Sequence, residues 1–265
     1  PMAISVMTNA LARDIDKYVV SFFTDTETLA VYTNAAKVLP FDIVTSSMLT
    51  ILVPVITRQI AENNFEKARE TFRIYLRMGY VFTWILVAGA VVMGKELMVT
   101  LYSEKYLSGL GVFVIYLVVD MVRFSNASLV LTARGKSRRL MVYALVSLAS
   151  NYLLDIFLFK HTGIFGPALA TLLVMLVMNW MLLQEAANVL QISAVRFFDL
   201  REVAVFVIEL LLCCILAVVV RRLLYQITQN AFFILLGGYG FYFVAAVLFN
   251  RKRIISCCKS LNCIQ

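Results

Sequence analysis

The chain has 265 residues, 62% of them hydrophobic and 15% charged, with a formal net charge of +8 and a mean hydropathy of +0.86. Soluble domains run nearer to about 45–50% apolar and 25% charged, so a water-soluble globular protein is excluded and an integral membrane protein is expected. The apolar runs, such as 78–93 and 203–220, are continuous rather than alternating, which argues against a membrane β-barrel and for an all-α, polytopic transmembrane helix bundle.

About eight stretches at helical spacing are long enough to cross a bilayer, near 1–23, 29–57, 74–93, 110–131, 140–159, 164–183, 203–220 and 231–249. The first carries Arg13, Asp14, Asp16 and Lys17 near its middle. A charge at mid-bilayer depth costs roughly 2.5–3.5 kcal/mol, so these side chains are expected to face protein or a watery cavity. At 100° per residue Ser5, Asn9, Arg13, Lys17 and Ser21 form one polar stripe, flanked by Asp14 and Asp16. The same spacing also allows a bland alternative, an Asp14–Lys17 pair that neutralises itself.

The second stretch holds Pro40 and Pro54, with Lys37 and Asp42 on either side of Pro40. Proline removes a helical hydrogen bond, so a bent or broken span is expected. The segment 58–77 alternates Glu62, Glu66 and Glu70 with Arg69, Arg73 and Arg77 around Phe65 and Phe72, and predicts an amphipathic helix lying on the membrane surface. Residues 95–111 read as a short outward re-entry segment. Further along, Asp120 and Arg123 stand three apart, and Asn151 and Asp155 share a face four apart. Glu209 stands without a charged companion in its own span, which suggests peripheral packing. His161 in the 161–167 turn reads as structural or incidental, and Cys213, Cys214, Cys257, Cys258 and Cys263 as free thiols rather than metal ligands.

The positive charge is distributed by side. Arg58, Lys67, Arg69, Arg73, Arg77, Arg134, Lys136, Arg138, Arg139, Arg196, Arg201, Arg251, Lys252, Arg253 and Lys259 follow alternate spans, whereas the opposite loops carry only Lys95, Lys105, Lys160, Arg221 and Arg222. The positive-inside rule places the basic side, and with it both chain ends, in the cytoplasm. The net charge is therefore a topology signal, and nucleic acid is not an expected partner. Glycine-rich phosphate loops, zinc-protease motifs and a soluble cleft with paired carboxylates are missing, so an enzyme is not expected and no cofactor is implied. The chain opens inside an apolar segment at Pro1, where an initiator Met is expected, and reads as a fragment of a longer protein.

Several stretches taken together resemble a known family. Asp16-Lys17 followed by Tyr32-Thr33-Asn34-Ala35-Ala36-Lys37-Val38-Leu39-Pro40, then Leu131-Thr132-Ala133-Arg134-Gly135-Lys136, then Asn151 and Gly163-Ile164-Phe165-Gly166-Pro167-Ala168-Leu169-Ala170-Thr171, are similar to the second half of bacterial polysaccharide flippases. These are O-antigen (Wzx-like) transporters of the multidrug/oligosaccharidyl-lipid/polysaccharide exporter superfamily. The likeness runs from Pro1 to about Ala187, and it implies one lobe of a two-lobe, MATE-like transporter. Residues 1–187 would be the second six-helix lobe, 188–250 two added transmembrane helices and 251–265 a basic cytoplasmic tail; a first lobe is expected elsewhere. The implied task is to flip an undecaprenyl-diphosphate-linked oligosaccharide across the bacterial cytoplasmic membrane by alternating access. On that reading Asn9, Arg13, Lys17 and Lys37 line the substrate cavity, and Asp14, Asp16, Asp42, Asp120 and Asp155 serve a coupling proton or sodium ion. The alternatives are a lipid II flippase or drug exporter of the same superfamily, and, from another class, a membrane enzyme of the glycan pathway.

Overall fold

The computed structural model describes residues 7–8, 10–37, 39, 41 and 43–262, and every regular element among them is a helix. In chain order these are α1 (Ile15–Phe23), α2 (Thr26–Ala35), α3 (Ile43–Ala61), α4 (Phe65–Val92), α5 (Gly94–Tyr102), a 3-10 turn (Glu104–Gly109), α6 (Leu110–Val122), α7 (Ser128–Ala133), α8 (Ser137–Thr162), α9 (Phe165–Val189), a second 3-10 turn (Ala194–Phe197), α10 (Leu200–Ile227) and α11 (Ala231–Asn262). Among the described residues six helical stretches are long and apolar enough to cross a membrane: Phe65–Val92, Glu104–Val122, Ser137–Thr162, Phe165–Val189, Leu200–Ile227 and Ala231–Ser260. They correspond to the third to eighth expected spans.

The first two expected spans are interrupted rather than continuous. Residues 10–12 are helical, but Arg13 and Asp14 form a turn in which the Arg13 and Asp14 amides bond to the carbonyls three residues back, at 3.3 and 3.1 Å, before α1 begins. The tighter i→i+3 pattern changes the helical register at the charged centre of the span. The single stripe drawn through Arg13 and Lys17 is therefore not the buried face: α1 buries Asp16, Val19 and Val20, while Arg13, Asp14 and Ser21 are exposed. In the second span α2 ends at Ala35 and α3 starts at Ile43, so the chain breaks on the N-terminal side of α3, near the expected proline position; Pro40 itself, like Asn9 and Asp42, lies outside the described residues. Pro54 stays inside α3. Between α1 and α2, Asp25 caps α2 by accepting from the Thr28 amide at 3.4 Å, and that hydrogen bond holds its carboxyl below the usual range.

The centre of the bundle is α4, which packs against α3, α6, α10 and α11. Small residues allow this: a Cβ on Gly89 would lie 2.4 Å from the Tyr242 ring of α11, and close helix approach inside membranes relies on such positions. The expected surface helix at 58–77 does not exist as a separate element. Arg58 lies on the last turn of α3, and Arg69, Arg73 and Arg77 lie on the first half of α4 and face the chain itself. Arg69 donates to the Leu190 carbonyl at 2.6 Å, Arg73 to the Arg196 carbonyl at 2.7 Å, and Arg77 to Glu202 at 2.6 Å. The first of these supplies a donor at the C-terminus of α9, where carbonyls lack helical partners. The basic tail is likewise not separate, since α11 continues through Asn262. Glu209 has company after all: Arg253 of α11 pairs with it and lies 3.7 Å from Glu202.

The hairpin joining α8 to α9 positions the site described below. Gly163 ends α8 at φ +61°, a left-handed conformation that side chains disfavour. At Gly166 a Cβ would sit 2.4 Å from the carbonyl carbon of Leu158 and 2.5 Å from its oxygen. The obstacle is backbone, so Gly166→Ala must push α9 off α8. Such overpacking costs about 1–3 kcal/mol, against a gain of about 1 kcal/mol in helix propensity. A net loss is expected in thermal unfolding of the detergent-purified protein, and a variant as stable as the parent would refute the close crossing.

Candidate functional site: a buried carboxylate pair beneath a polar cavity

Five helices bring polar side chains to one place inside the apolar bundle. Asp16 of α1 is 1% exposed, Asp155 of α8 is 0% exposed and Asn151, one turn away from it, is 4% exposed. Tyr32 of α2 donates its hydroxyl to Asp16 Oδ2 at 2.7 Å, and Tyr116 of α6 donates to the same oxygen. Thr171 of α9 joins the cluster, its hydroxyl 3.5 Å from Asn151 Nδ2. Asp155 stands close enough to Asp16 for their charges to interact. By the helix bounds, Asp16, Tyr32, Tyr116, Asp155 and Thr171 each sit about two turns in, and Asn151 about three, from the terminus that each helix presents to the end of the bundle opposite the basic turns.

The hydrogen-bond accounting at this cluster is incomplete in a specific way. Asp16 Oδ1, Asn151 Oδ1 and both Asp155 oxygens are buried, and none accepts a hydrogen bond from the described residues. Buried polar atoms are almost always partnered, and charged groups inside membrane spans mark ion or substrate paths. These four acceptor oxygens, from two carboxylates and an amide, together with the neighbouring Thr171 hydroxyl, form the hard-oxygen environment that a proton or a small cation prefers.

Below the cluster lies a cavity of about 470 Å³. Its inner wall is Tyr116, Asn151 and Thr171; Ser147 and Tyr143 of α8 and Asn179 of α9 follow, and the other end is formed by Arg123, Ser125, Asn126, Ser128, Thr132 and Ser137, with Arg13 at the rim. The span expected at 110–131 is interrupted there: α6 ends at Val122 and α7 starts at Ser128, so residues 123–127 are not helical.

The candidate residues named from sequence are distributed unevenly around this site. Asp16 and Asp155 meet, and Asn151 joins them. Asp14 is exposed and pairs with Lys17, the self-neutralising arrangement that the spacing allowed. Asp120 is buried on α6, accepts from the Leu39 amide at 3.3 Å and lies 3.9 Å from Arg123. The proposed cation set is not gathered in one pocket: Arg13 lines the cavity, Lys17 holds Asp14, and Lys37 is exposed, bonds Asn34 at 3.3 Å and lies over the Tyr102 ring. Asn9 and Asp42 fall outside the described residues. Tyr32, Tyr116 and Thr171 were missed as site residues. Their signal is a hydroxyl at mid-span with no sequence-local partner, which must find one across helices.

The fold and the site define a multi-pass α-helical membrane protein with a polar, charge-bearing interior, the construction of a transporter lobe. The chain belongs to the lipid II flippase MurJ family, which matches residues 1–240. No curated protein sequence matches it. Its fold is similar to a solved structure of lipid II flippase MurJ in the inward closed conformation, with a TM-score of 0.65, 18% identity, and coverage of 94% of this chain and 53% of that one. The chain thus spans about half the length of that protein. The expected all-α, polytopic bundle stands, and of the expected readings the family match favours the lipid II alternative over the polysaccharide one.

Proposed function

We propose that this chain acts as the second half of a two-lobe flippase that moves lipid II across the bacterial cytoplasmic membrane. Residues 1–187 would form the lobe, 188–250 the two added helices, and 251–265 the basic cytoplasmic tail. The single observation that carries the cargo is the family match over residues 1–240. The geometry is in keeping with it. The exposed face of the first span presents Arg13 and the Asp14–Lys17 pair, and Lys37 is exposed beyond it. Facing a first lobe, these cations would meet the anionic head of a lipid-linked substrate in a watery space that hydrocarbon does not provide. Of the five aspartates expected to couple transport to an ion, Asp16 and Asp155 are the pair supported by burial, proximity and unpartnered oxygens. Asp14 and Asp120 are occupied by Lys17 and by the Leu39 amide with Arg123.

The test is complementation. In a bacterium whose own lipid II flippase can be shut off, the full-length protein carrying this chain is expected to restore growth and outer-leaflet lipid II. Lipid II trapped on the inner leaflet despite expression, or rescue of an O-antigen flippase mutant instead, would overturn the proposal.

A further inference from the structure

The cavity leads somewhere that the movement of a large lipid-linked head does not need. We propose that it is the route by which the coupling cation reaches Asp16 and Asp155 from the cytoplasmic side, through the interior of this lobe. The inference rests on the reading of those aspartates as the coupling site and adds where the ion enters.

Four observations carry it. First, the cavity ends on the cluster itself: Tyr116, Asn151 and Thr171 belong to both. Second, the non-helical stretch 123–127 forms part of the cavity wall through Arg123, Ser125, Asn126 and Ala127. Irregular backbone at membrane depth is tolerated only where it is buried in protein or borders water, and the hydroxyls of Ser125, Ser128, Thr132, Ser137 and Ser147 along the same wall make this one wet. Third, its volume of about 470 Å³ leaves ample room for a hydrated ion, since one water needs only about 10–15 Å³ of such space. Fourth, the opposite side is packed with apolar side chains. Val20, Phe113 and Ala168 are fully buried around the cluster, and Phe23 stacks on Phe159 at 5.0 Å across the α1–α8 contact.

The direction follows from the charges at the ends. One end of the cavity adjoins the α7–α8 turn with Arg134, Lys136, Arg138 and Arg139, the side the positive-inside rule assigns to the cytoplasm. Two arginines border the route without closing it to cations. Arg123 lies 3.9 Å from Asp120, which offsets its charge, and Arg13 is exposed at the rim. On α8 the path descends one face, from Asp155 and Asn151 through Ser147 and Ala144 to Leu140.

The experiment labels that face. In the full-length protein, Ser147→Cys is treated with a membrane-impermeant thiol reagent in inside-out and right-side-out vesicles, with the parent protein reporting background from its own cysteines. Labelling is expected from the cytoplasmic face only, and slowed several-fold by sodium or, if the proton is the coupled ion, by acidification beyond the general slowing that loss of thiolate causes at the same cysteine in the Asp155→Asn background; Asp155→Asn is expected to remove that protection. Ala144→Cys, one turn nearer the mouth, replaces S147C if that variant folds poorly. Labelling from the outer face, or none while Ser137→Cys at the mouth reacts, overturns the route even if Asp155→Asn still abolishes cation dependence of transport. Cytoplasmic labelling that neither ion slows overturns the coupling reading together with the route.

Discussion

Asp155→Asn is expected to abolish cation-dependent transport while leaving the bundle at least as stable as before. The two effects separate because Asp155 does nothing visible for the fold. It is fully buried, neither of its oxygens accepts a hydrogen bond from the described residues, and the charge it feels is that of Asp16. An amide in its place removes a like-charge neighbour, and the N–H donors that it adds have unpartnered acceptors in the same cluster, Asp16 Oδ1 and Asn151 Oδ1. For a bound cation the loss is large: a unit charge about 4 Å away is worth about 4 kcal/mol at an effective dielectric constant of 20, or roughly a thousandfold in affinity. Asp16→Asn is expected to behave differently, because Asp16 Oδ2 accepts from both Tyr32 and Tyr116. If the amide nitrogen takes that position, a tyrosine hydroxyl loses its acceptor at a cost of about 1–3 kcal/mol. The check is thermal unfolding of the purified full-length protein with and without sodium and across pH, beside a flipping assay. Asp155→Asn should lose cation-induced stabilisation and activity together. A variant that keeps its cation-dependent shift would remove Asp155 from the site.

These contrasts also show what could be read from the chain alone. Composition and continuous apolar runs were enough for the membrane class and for the last six spans, because a lipid-facing helix is specified by local sequence. Asn151 and Asp155 were legible as a pair because four residues make one helical face. The interruption at Arg13–Asp14 was not. A wheel drawn at constant pitch cannot anticipate a change to i→i+3 bonding, so Asp16 was placed beside the polar stripe when it is the buried residue. Residues 58–77 were misread for a related reason. Alternating Glu and Arg look like a solvated face, yet Arg69, Arg73 and Arg77 find carbonyls and a carboxylate more than a hundred positions later in the chain. Tertiary partners of that kind leave no local pattern. Glu209 was taken as solitary because Arg253, on the next helix, is brought to it only by the α10–α11 packing.

The last consequence concerns how α10 and α11 are held to the lobe, and it predicts the largest loss of stability. Glu96 of α5 is 0% exposed, and its Oε1 accepts from Arg221 Nε at 2.8 Å and from the Tyr225 hydroxyl, both on α10. Arg221 also donates to the Val92 carbonyl at the end of α4, at 3.0 Å. One guanidinium thus ties α10 to the end of α4 and the start of α5, near the terminus opposite the Arg77–Glu202–Arg253–Glu209 network. Removing one partner of a buried pair leaves the other charge uncompensated, at about 3–5 kcal/mol. Arg221 is a quarter exposed and can turn partly toward water, so Glu96→Ala is expected near the lower value, about 3 kcal/mol. For a chain of this size that lowers the unfolding midpoint by on the order of 6–12 °C. The cost lies in the stranded charge rather than in the lost attraction, so Glu96→Met combined with Arg221→Met should recover most of the loss. If Glu96→Ala and Arg221→Met instead destabilise additively, the two side chains do not act as a pair, and α10 is held on α5 by its apolar contacts alone.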